Sequence, residues 1–157
     1  MLIRALIIAG LLFTAAEAQT VSFDPNKPTE VDGDRAELLG GGEHVILEGN
    51  VSISQPGVIL TADRMDVFRD ADGDLQRVEA AGRVRYAAVT GDAIAGDRAI
   101  YFATENRLVV QGNVVVLQQG QVATAEELTY NTETGAMVMT GGDGRRVRGL
   151  LQQQGES

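Results

Sequence analysis

The chain contains no cysteine and no tryptophan, and it has a single histidine, His44, and a single lysine, Lys27. Without thiols there is no disulfide framework, no thiolate nucleophile and no cysteine-based metal centre. His44 stands without a second histidine to complete a metal site and reads as an ordinary residue at a strand start. No Gly-x-Ser-x-Gly elbow and no phosphate-binding loop occurs, so no catalytic, metal or cofactor site is expected. Long apolar runs are missing too. Leu6 to Ala15, interrupted at Gly10 and Thr14, falls short of the roughly 18 to 20 residues that a membrane-spanning helix needs. With Arg4 before it and Ala16-Glu17-Ala18 after it, this run predicts a signal peptide over residues 1–18, cleaved before Gln19. The remainder is 157 − 18 = 139 residues, enough for one domain with a moderate core. Positive charge is scarce as well: 13 basic against 22 acidic residues leave a net charge of −9, and losing Arg4 with Glu17 does not change it. A chain so acidic repels phosphate backbones, and no nucleic-acid partner is expected.

What the sequence does contain is a repeat. Four segments open on a small residue and an acid: Gly33-Asp34-Arg35, Ala62-Asp63-Arg64, Gly96-Asp97-Arg98 and Ala125-Glu126-Glu127. Each is answered by a glycine, in Glu48-Gly49-Asn50, Ala81-Gly82-Arg83, Gln111-Gly112-Asn113 and Thr140-Gly141-Gly142. From acid to glycine the separations are 15, 19, 15 and 15 residues, so the second unit carries a four-residue insertion, placed in the turn Asp70-Ala71-Asp72-Gly73-Asp74. A period of this kind points to stacked copies of one supersecondary unit.

Between these marks the pattern is β. Val45, Leu47, Val51 and Ile53 alternate with Ile46, Glu48, Asn50, Ser52 and Ser54, close to period two. The same register selects Val84 and Tyr86, then Leu108, Val110, Val114 and Val116, then Met137 and Met139. A second register, measured from each acid, selects Val31 and Leu38, Leu60 with Met65 and Val67, Ile94 with Tyr101, and Leu128 with Tyr130. Offsets on the two sides of the acid have opposite parity, so the apolar face changes sides there, as one extra residue in a β-bulge would cause. Glycine at the partner position permits a sharp bend. Strands folded at aligned corners build two walls around one apolar seam lined by these 21 residues. The expected class is all-β: an open, curved strand solenoid or half-open jelly roll with exposed edge strands at both ends. Residues 31–150 form the domain, 19–30 an N-terminal arm and 151–157 a disordered tail.

The polar residues at the corners have simpler readings than chemistry. Asp34, Asp63, Asp97 and Glu126 are expected to accept hydrogen bonds from backbone at each bend. Arg35, Arg64 and Arg98 are expected to form ion pairs or to cap the bend there. Asp70 to Asp74 resembles part of a calcium loop, but the sixth and twelfth positions are Leu75 and Ala81, so an acidic turn is expected. The cluster Arg145, Arg146 and Arg148 is left open between a solvated tail and contact with a phosphate or an acidic partner.

Two of the repeat units carry a family resemblance. Leu47-Glu48-Gly49-Asn50-Val51-Ser52-Ile53-Ser54-Gln55 and Val110-Gln111-Gly112-Asn113-Val114-Val115-Val116-Leu117-Gln118 resemble a recurring L-x-G-N-V-x-h-x-Q signature. Thr61-Ala62-Asp63-Arg64-Met65 and Ala95-Gly96-Asp97-Arg98-Ala99 resemble its A-D-R/G-D-R signature. Together they are similar to the OstA-like (LptA) domain family over about residues 28 to 150. The resemblance implies a β-jelly roll open at both ends, with the inner residues lining a groove for the acyl chains of lipopolysaccharide. It further implies a periplasmic carrier without enzymatic activity. Its edge strands would pair with LptC-like inner-membrane proteins, with LptD-like outer-membrane proteins and with further copies of itself. Arg83 in place of asparagine, Glu126-Glu127 in place of Asp-Arg, and Gly141-Gly142 in place of Gly-Asn depart from the family pattern. Two alternatives remain: a polymerising β-scaffold that binds no lipid, and an LptC-like, membrane-anchored member that keeps its N-terminal helix.

Overall fold

The computed structural model describes residues 27–150. The predicted signal peptide, residues 19–26 of the predicted arm and the predicted tail lie outside the described residues. Period-two alternation is realised as ten strands: β1 Glu30–Asp32, β2 Arg35–Leu39, β3 His44–Gln55, β4 Val58–Arg69, β5 Leu75–Ala88, β6 Ala93–Phe102, β7 Arg107–Gln118, β8 Gln121–Asn131, β9 Met137–Thr140 and β10 Arg148–Leu150. Every pairing is antiparallel, and neighbours in sequence are neighbours in the sheet from β3 to β8. Local hairpin connections need only short turns, and single 3-10 turns at Gly40–Gly42 and Ala103–Glu105 join β2 to β3 and β6 to β7. The sheet does not close: its path runs from β1 to β10 and leaves an edge at each end.

Each long strand is bent once, and the bend divides the sheet into two walls. At the β3–β4 corner, Glu48 pairs with Arg64 and Val51 pairs with Ala62, so Gly49 and Asn50 together face Asp63 alone. The extra residue of this bulge thus sits on the glycine strand, not at the acid as the parity pattern suggested. Gly49 and Asn50 have φ of 75° and 46°, and Gly112 and Asn113 repeat them at 77° and 48°. Two successive left-handed residues favour Gly-Asn, the dipeptide of tight hairpin turns, here set inside a continuous strand. Both ends of the sheet obey the same geometry with shorter pieces. β1 and β2 cover the two halves of β3, and β9 and β10 cover the two halves of β8.

The core follows the corner. Leu47, Val51, Met65, Val84, Val110, Val114 and Leu128 are all buried beside the bend, together with Ala62, Ala80 and Ala99. Val110 reaches across the bend onto Gly96, where any side chain would collide with it. That contact explains a glycine with ordinary backbone angles inside β6.

Candidate functional site

Hydrogen-bonded register arranges the predicted inner residues in rows that cross the whole sheet. In the first wall one row runs Leu38, Val45, Val67, Val78, Tyr101, Leu108, Tyr130, Met137. Nearer the corner lies Ala36, Leu47, Met65, Ala80, Ala99, Val110, Leu128, Met139. In the second wall, Val51, Ala62, Val84, Gly96, Val114 and Ala125 lie beside the corner. Farther out run Val31, Ile53, Leu60, Tyr86, Ile94, Val116, Ala123 and Gly149. All 21 predicted positions fall on these rows. Small residues such as Ala62, Gly96 and Ala125 complete them; the predicted set omitted these because a small side chain carries little periodic signal. Val58, buried at the tip of β4, was also missed.

Burial separates two zones within the seam. The corner rows are closed in the middle strands, with Val51 and Val114 only 1% exposed and Met65 and Leu128 sealed completely; Ile94 and Val116, on the outer row of the second wall, are buried as well. Val45, Ile53, Leu60, Tyr86, Leu108 and Met137 are half-buried, packed on the core from one side only. The predicted lining residues Val31 and Leu38 are 47% and 67% exposed, because each sits on an edge strand with no further strand beside it. Burial pushes the Tyr86 phenol up from its usual value, and the neighbouring Tyr130 and Asp92 add to the effect. Tyr130 is pushed up by burial and then by Asp92. The two phenols come from opposite walls of the seam. Both stay neutral at physiological pH and leave the seam without charge of its own.

At the corners the acids are held by side chains rather than by the backbone donors that had been expected. Asn50 Nδ2 donates to Asp34 at 2.9 Å and Asn113 Nδ2 to Asp97 at 2.8 Å. Arg83 takes the same place against Asp63, at 2.6 Å, so the departure from asparagine keeps the contact and changes only the donor. The fourth corner uses Arg145 on Glu126 at 2.7 Å, and the glycine beneath Glu126 is Gly142, not Gly141. In every corner a methyl on the glycine would come within 2.9 Å of the acid's own aliphatic carbon. The repeated acid is therefore a packing element over a bare backbone, engaged and solvent-facing, rather than a free carboxylate.

The outward face carries a separate polar and aromatic system. Arg64 bridges Glu48 and Asp66, and Arg35 bridges Glu37 and Glu48. Arg98 is exposed and forms no ion pair among the described residues. His44 Nε2–H donates to Asp66 at 2.9 Å and the ring stacks on Phe68 at 4.4 Å, with Arg77 over the Phe68 ring too. Arg107 covers Phe102 in the same way. These residues share one outward row, which accounts for the placement of His44 and two phenylalanines away from the seam. In the acidic turn, Asp70 accepts from the backbone of Asp72 and Asp74 and from Gln76, as an Asx turn does. A surface cleft of about 500 Å³ near the C-terminal edge is lined by Arg145, Arg146 and Arg148 with Asn113, Thr124 and Glu126.

Comparison with known proteins places this geometry. The "Lipopolysaccharide export system protein LptH" of Pseudomonas aeruginosa is 28% identical over 135 residues, covering 81% of this chain and 77% of the relative. An uncharacterised protein of Rhizobium meliloti, R00383, is 28% identical over 161 residues, covering 90% and 86%. The crystal structure of P. aeruginosa LptH, described as the LptA-homologous periplasmic component of the lipopolysaccharide transport device, superposes with a TM-score of 0.69 at 23% identity, over 81% of this chain and 96% of that one. That likeness confirms the fold as an open β-jelly roll. A family model for the "LptA/(LptD N-terminal domain) LPS transport protein" matches residues 30–136, and the chain belongs to that family.

Proposed function

We propose that this chain is a periplasmic lipopolysaccharide carrier, exported by its N-terminal signal, that holds acyl chains along the seam and spans between membranes by end-to-end strand pairing. Family membership supports the transport role. The observation that carries the binding mode is the graded seam, sealed at the corner in the middle strands and part-open at Val45, Ile53, Leu60, Tyr86, Leu108 and Met137 along its lips. Burying hydrocarbon yields about 0.8 kcal/mol per methylene, so an enclosing cavity would trap several long chains. Rows that cover hydrocarbon from one side bind more weakly and allow cargo to be passed along.

Charge sets the division of labour. Lipopolysaccharide is anionic and the chain carries −9, so affinity comes from acyl chains in the uncharged seam rather than from head-group phosphates. The partners that fit are LptC-like and LptD-like proteins at the two membranes, together with further copies of the chain. Each would add strands to the open edges by β-augmentation. No step in this role requires catalysis.

The test is equilibrium binding of lipopolysaccharide to the purified chain and to Leu60→Asp and Leu108→Asp. A carboxylate against hydrocarbon is expected to lower affinity about tenfold or more while the β-sheet circular dichroism is retained. Binding unchanged in both variants, with the fold intact, would reject the seam as the lipid site. Failure of the unmodified chain to bind would favour a scaffold that polymerises without cargo.

A further inference from the structure

Two clefts on the outer face of the sheet are copies of one another. The first, about 320 Å³, lies behind the second corner and is lined by Asn50, Ser52, Thr61, Asp63, Arg83 and Arg85 over a floor of Val51 and Ala62. The second is the cleft of about 500 Å³ at the fourth corner, which holds Arg145, Arg146 and Arg148. Their residues correspond at one constant offset: 113 − 50, 124 − 61, 146 − 83 and 148 − 85 all equal 63. An asparagine, a threonine and the triplet Arg-Val-Arg thus recur together, although the first triplet lies inside the long β5 and the second runs into the short β10. The corner acids are held alternately by asparagine and by arginine. Asn50 and Asn113 hold Asp34 and Asp97, whereas Arg83 and Arg145 hold Asp63 and Glu126. Both clefts lie where arginine is the holder.

Register sets the donors side by side. Ser52 stands opposite Thr61 and Thr61 opposite Arg85, and Thr124 stands opposite Arg148 in the same way. These side chains face away from the seam because their neighbours Val51, Ile53, Val84 and Tyr86 face into it. Arg83 gives Nε and Nη2 to Asp63. Arg85, Arg146 and Arg148 are exposed, and their side chains form no ion pair or hydrogen bond among the described residues. The hydroxyls of Ser52 and Thr61 are unbonded as well. Few carboxylates compete for these donors. Residues 51–62 and 113–125 contain no charged residue, and residues 83–96 and 146–150 carry four arginines against Asp92, a formal +4 − 1 = +3 in a chain of −9. Asp92 is engaged at the far turn by Thr90 and by the backbone N–H of Gln119. The one acid on the row itself is Asp32, on the far side of Ser52 from Arg85. Free arginines are thus gathered where acids are missing, and a bound anion would relieve their repulsion.

We propose that the two clefts are phosphate-binding sites on the face of the sheet opposite to the seam. A guanidinium presents a planar fork that matches phosphate oxygens, and the neighbouring threonine hydroxyl adds a neutral donor. Four strand steps separate Arg85 from Arg148, about 19 Å in all at the usual strand spacing, so each cleft takes its own phosphate. Acyl chains in the seam lie on the other side of the wall, so the phosphate in these clefts belongs to a second molecule. Charge ranks the two sites. Arg83 and Arg85 against Asp63 give +2 − 1 = +1, and Arg145, Arg146 and Arg148 against Glu126 give +3 − 1 = +2, so the fourth-corner cleft binds more tightly. The inference stands apart from the carrier function and does not depend on it.

Titration of inorganic phosphate into the isotope-labelled chain, with chloride exchanged to hold ionic strength constant, tests the proposal by NMR. Saturable shifts of the Thr61 and Arg85 amides, and of the Thr124 and Arg148 amides, are expected, the second pair saturating at the lower concentration. Arg85→Gln should lower affinity at the first cleft about tenfold and spare the second, and Arg148→Gln should do the reverse. Both side chains are exposed, so the fold should persist in each variant. Arg98→Gln, at an exposed arginine outside the clefts, should change neither site. Co-sedimentation with phosphatidylglycerol vesicles identifies the source of the phosphate. Binding to vesicles that is lost in the Arg85→Gln/Arg148→Gln chain assigns the clefts to a lipid head group. Saturable phosphate shifts without co-sedimentation assign them to a soluble phosphate ester. Shifts that do not saturate, together with no vesicle binding, would overturn the proposal. Loss of lipopolysaccharide binding in the same double variant would show that the cargo itself reaches the clefts, and would overturn their separation from the seam.

Discussion

The corner and the lips of the seam are built from the same rows of residues, yet they do different work. Beside the bend, Met65, Leu128, Val51 and Val114 are enclosed on every side by the two walls and by Gly96, whose missing side chain lets Val110 cross over. Farther out, Ile53, Leu60, Leu108 and Met137 touch the core on one flank and leave the other flank open. A folded sheet has to close somewhere to pay the entropy of ordering its strands, and closing at the corner leaves the lips free for a ligand. The comparison teaches that hydrophobicity alone does not distinguish lining from core here; the part-open residues lie on the outer rows, where Ile94 and Val116 are nonetheless buried.

The largest expected effect lies at the corner. Met65→Ala or Leu128→Ala removes a fully enclosed side chain and should cost about 2–5 kcal/mol in urea unfolding. Leu60→Ala or Leu108→Ala should cost clearly less, because the site can collapse or fill with water, while weakening lipid capture. Equal losses at both zones would erase the distinction between core and groove. Next comes the bend itself. Gly112→Ala places a methyl against Asp97 at a φ of 77° and should cost about 1–3 kcal/mol. Adding Asp97→Ala should recover part of that loss, a coupling visible in a double-mutant cycle.

Acid should act through the outward network. Asp66 is held below the usual carboxylate range by its hydrogen bonds to Arg64, partly opposed by burial, and then by its bond to His44. Its folded value is thus below its unfolded value of about 3.9. The stabilisation is fully present above that unfolded value and is lost as pH falls through the folded value. The urea midpoint should therefore drop below about pH 4 in the native chain, and less so in Asp66→Asn. Asp63 is lowered in the same direction by Arg83. The smallest effect is at that residue: Arg83→Asn restores the residue found at the equivalent Asn50 and Asn113 positions, and should leave thermal stability nearly unchanged.

Much of this was legible from residue order. Val45, Leu47, Val51 and Ile53 announce their face by alternation, and the acid-to-glycine spacing locates the corners, because a two-residue period leaves little freedom in which side faces in. The direction of the bulge was not legible. Parity around Asp63 is the same whether the extra residue lies on its own strand or on the strand of Gly49 and Asn50, and only pairing register separates the two. At the fourth corner the spacing pointed to Gly141, whereas Gly142 sits under Glu126, since glutamate is one methylene longer and β9 stops early. Exposure of Val31 and Leu38 follows from their place on edge strands, which alternation does not encode. The stacking of His44, Phe68 and Arg77 is a cross-strand event between residues 24 and 9 positions apart, invisible to a local pattern.

Site-specific photo-crosslinking in cells tests the central claim most directly. Probes at Leu60 and Leu108 on the lips are compared with their outward neighbours Thr61 and Val109, and with enclosed Val114 at the corner. Adducts with lipopolysaccharide from the two lip positions, and none from the outward or corner positions, are the predicted result. Adducts from the outward face, or none from the lips while protein adducts form at the edge strands, would contradict a lipid-carrying seam.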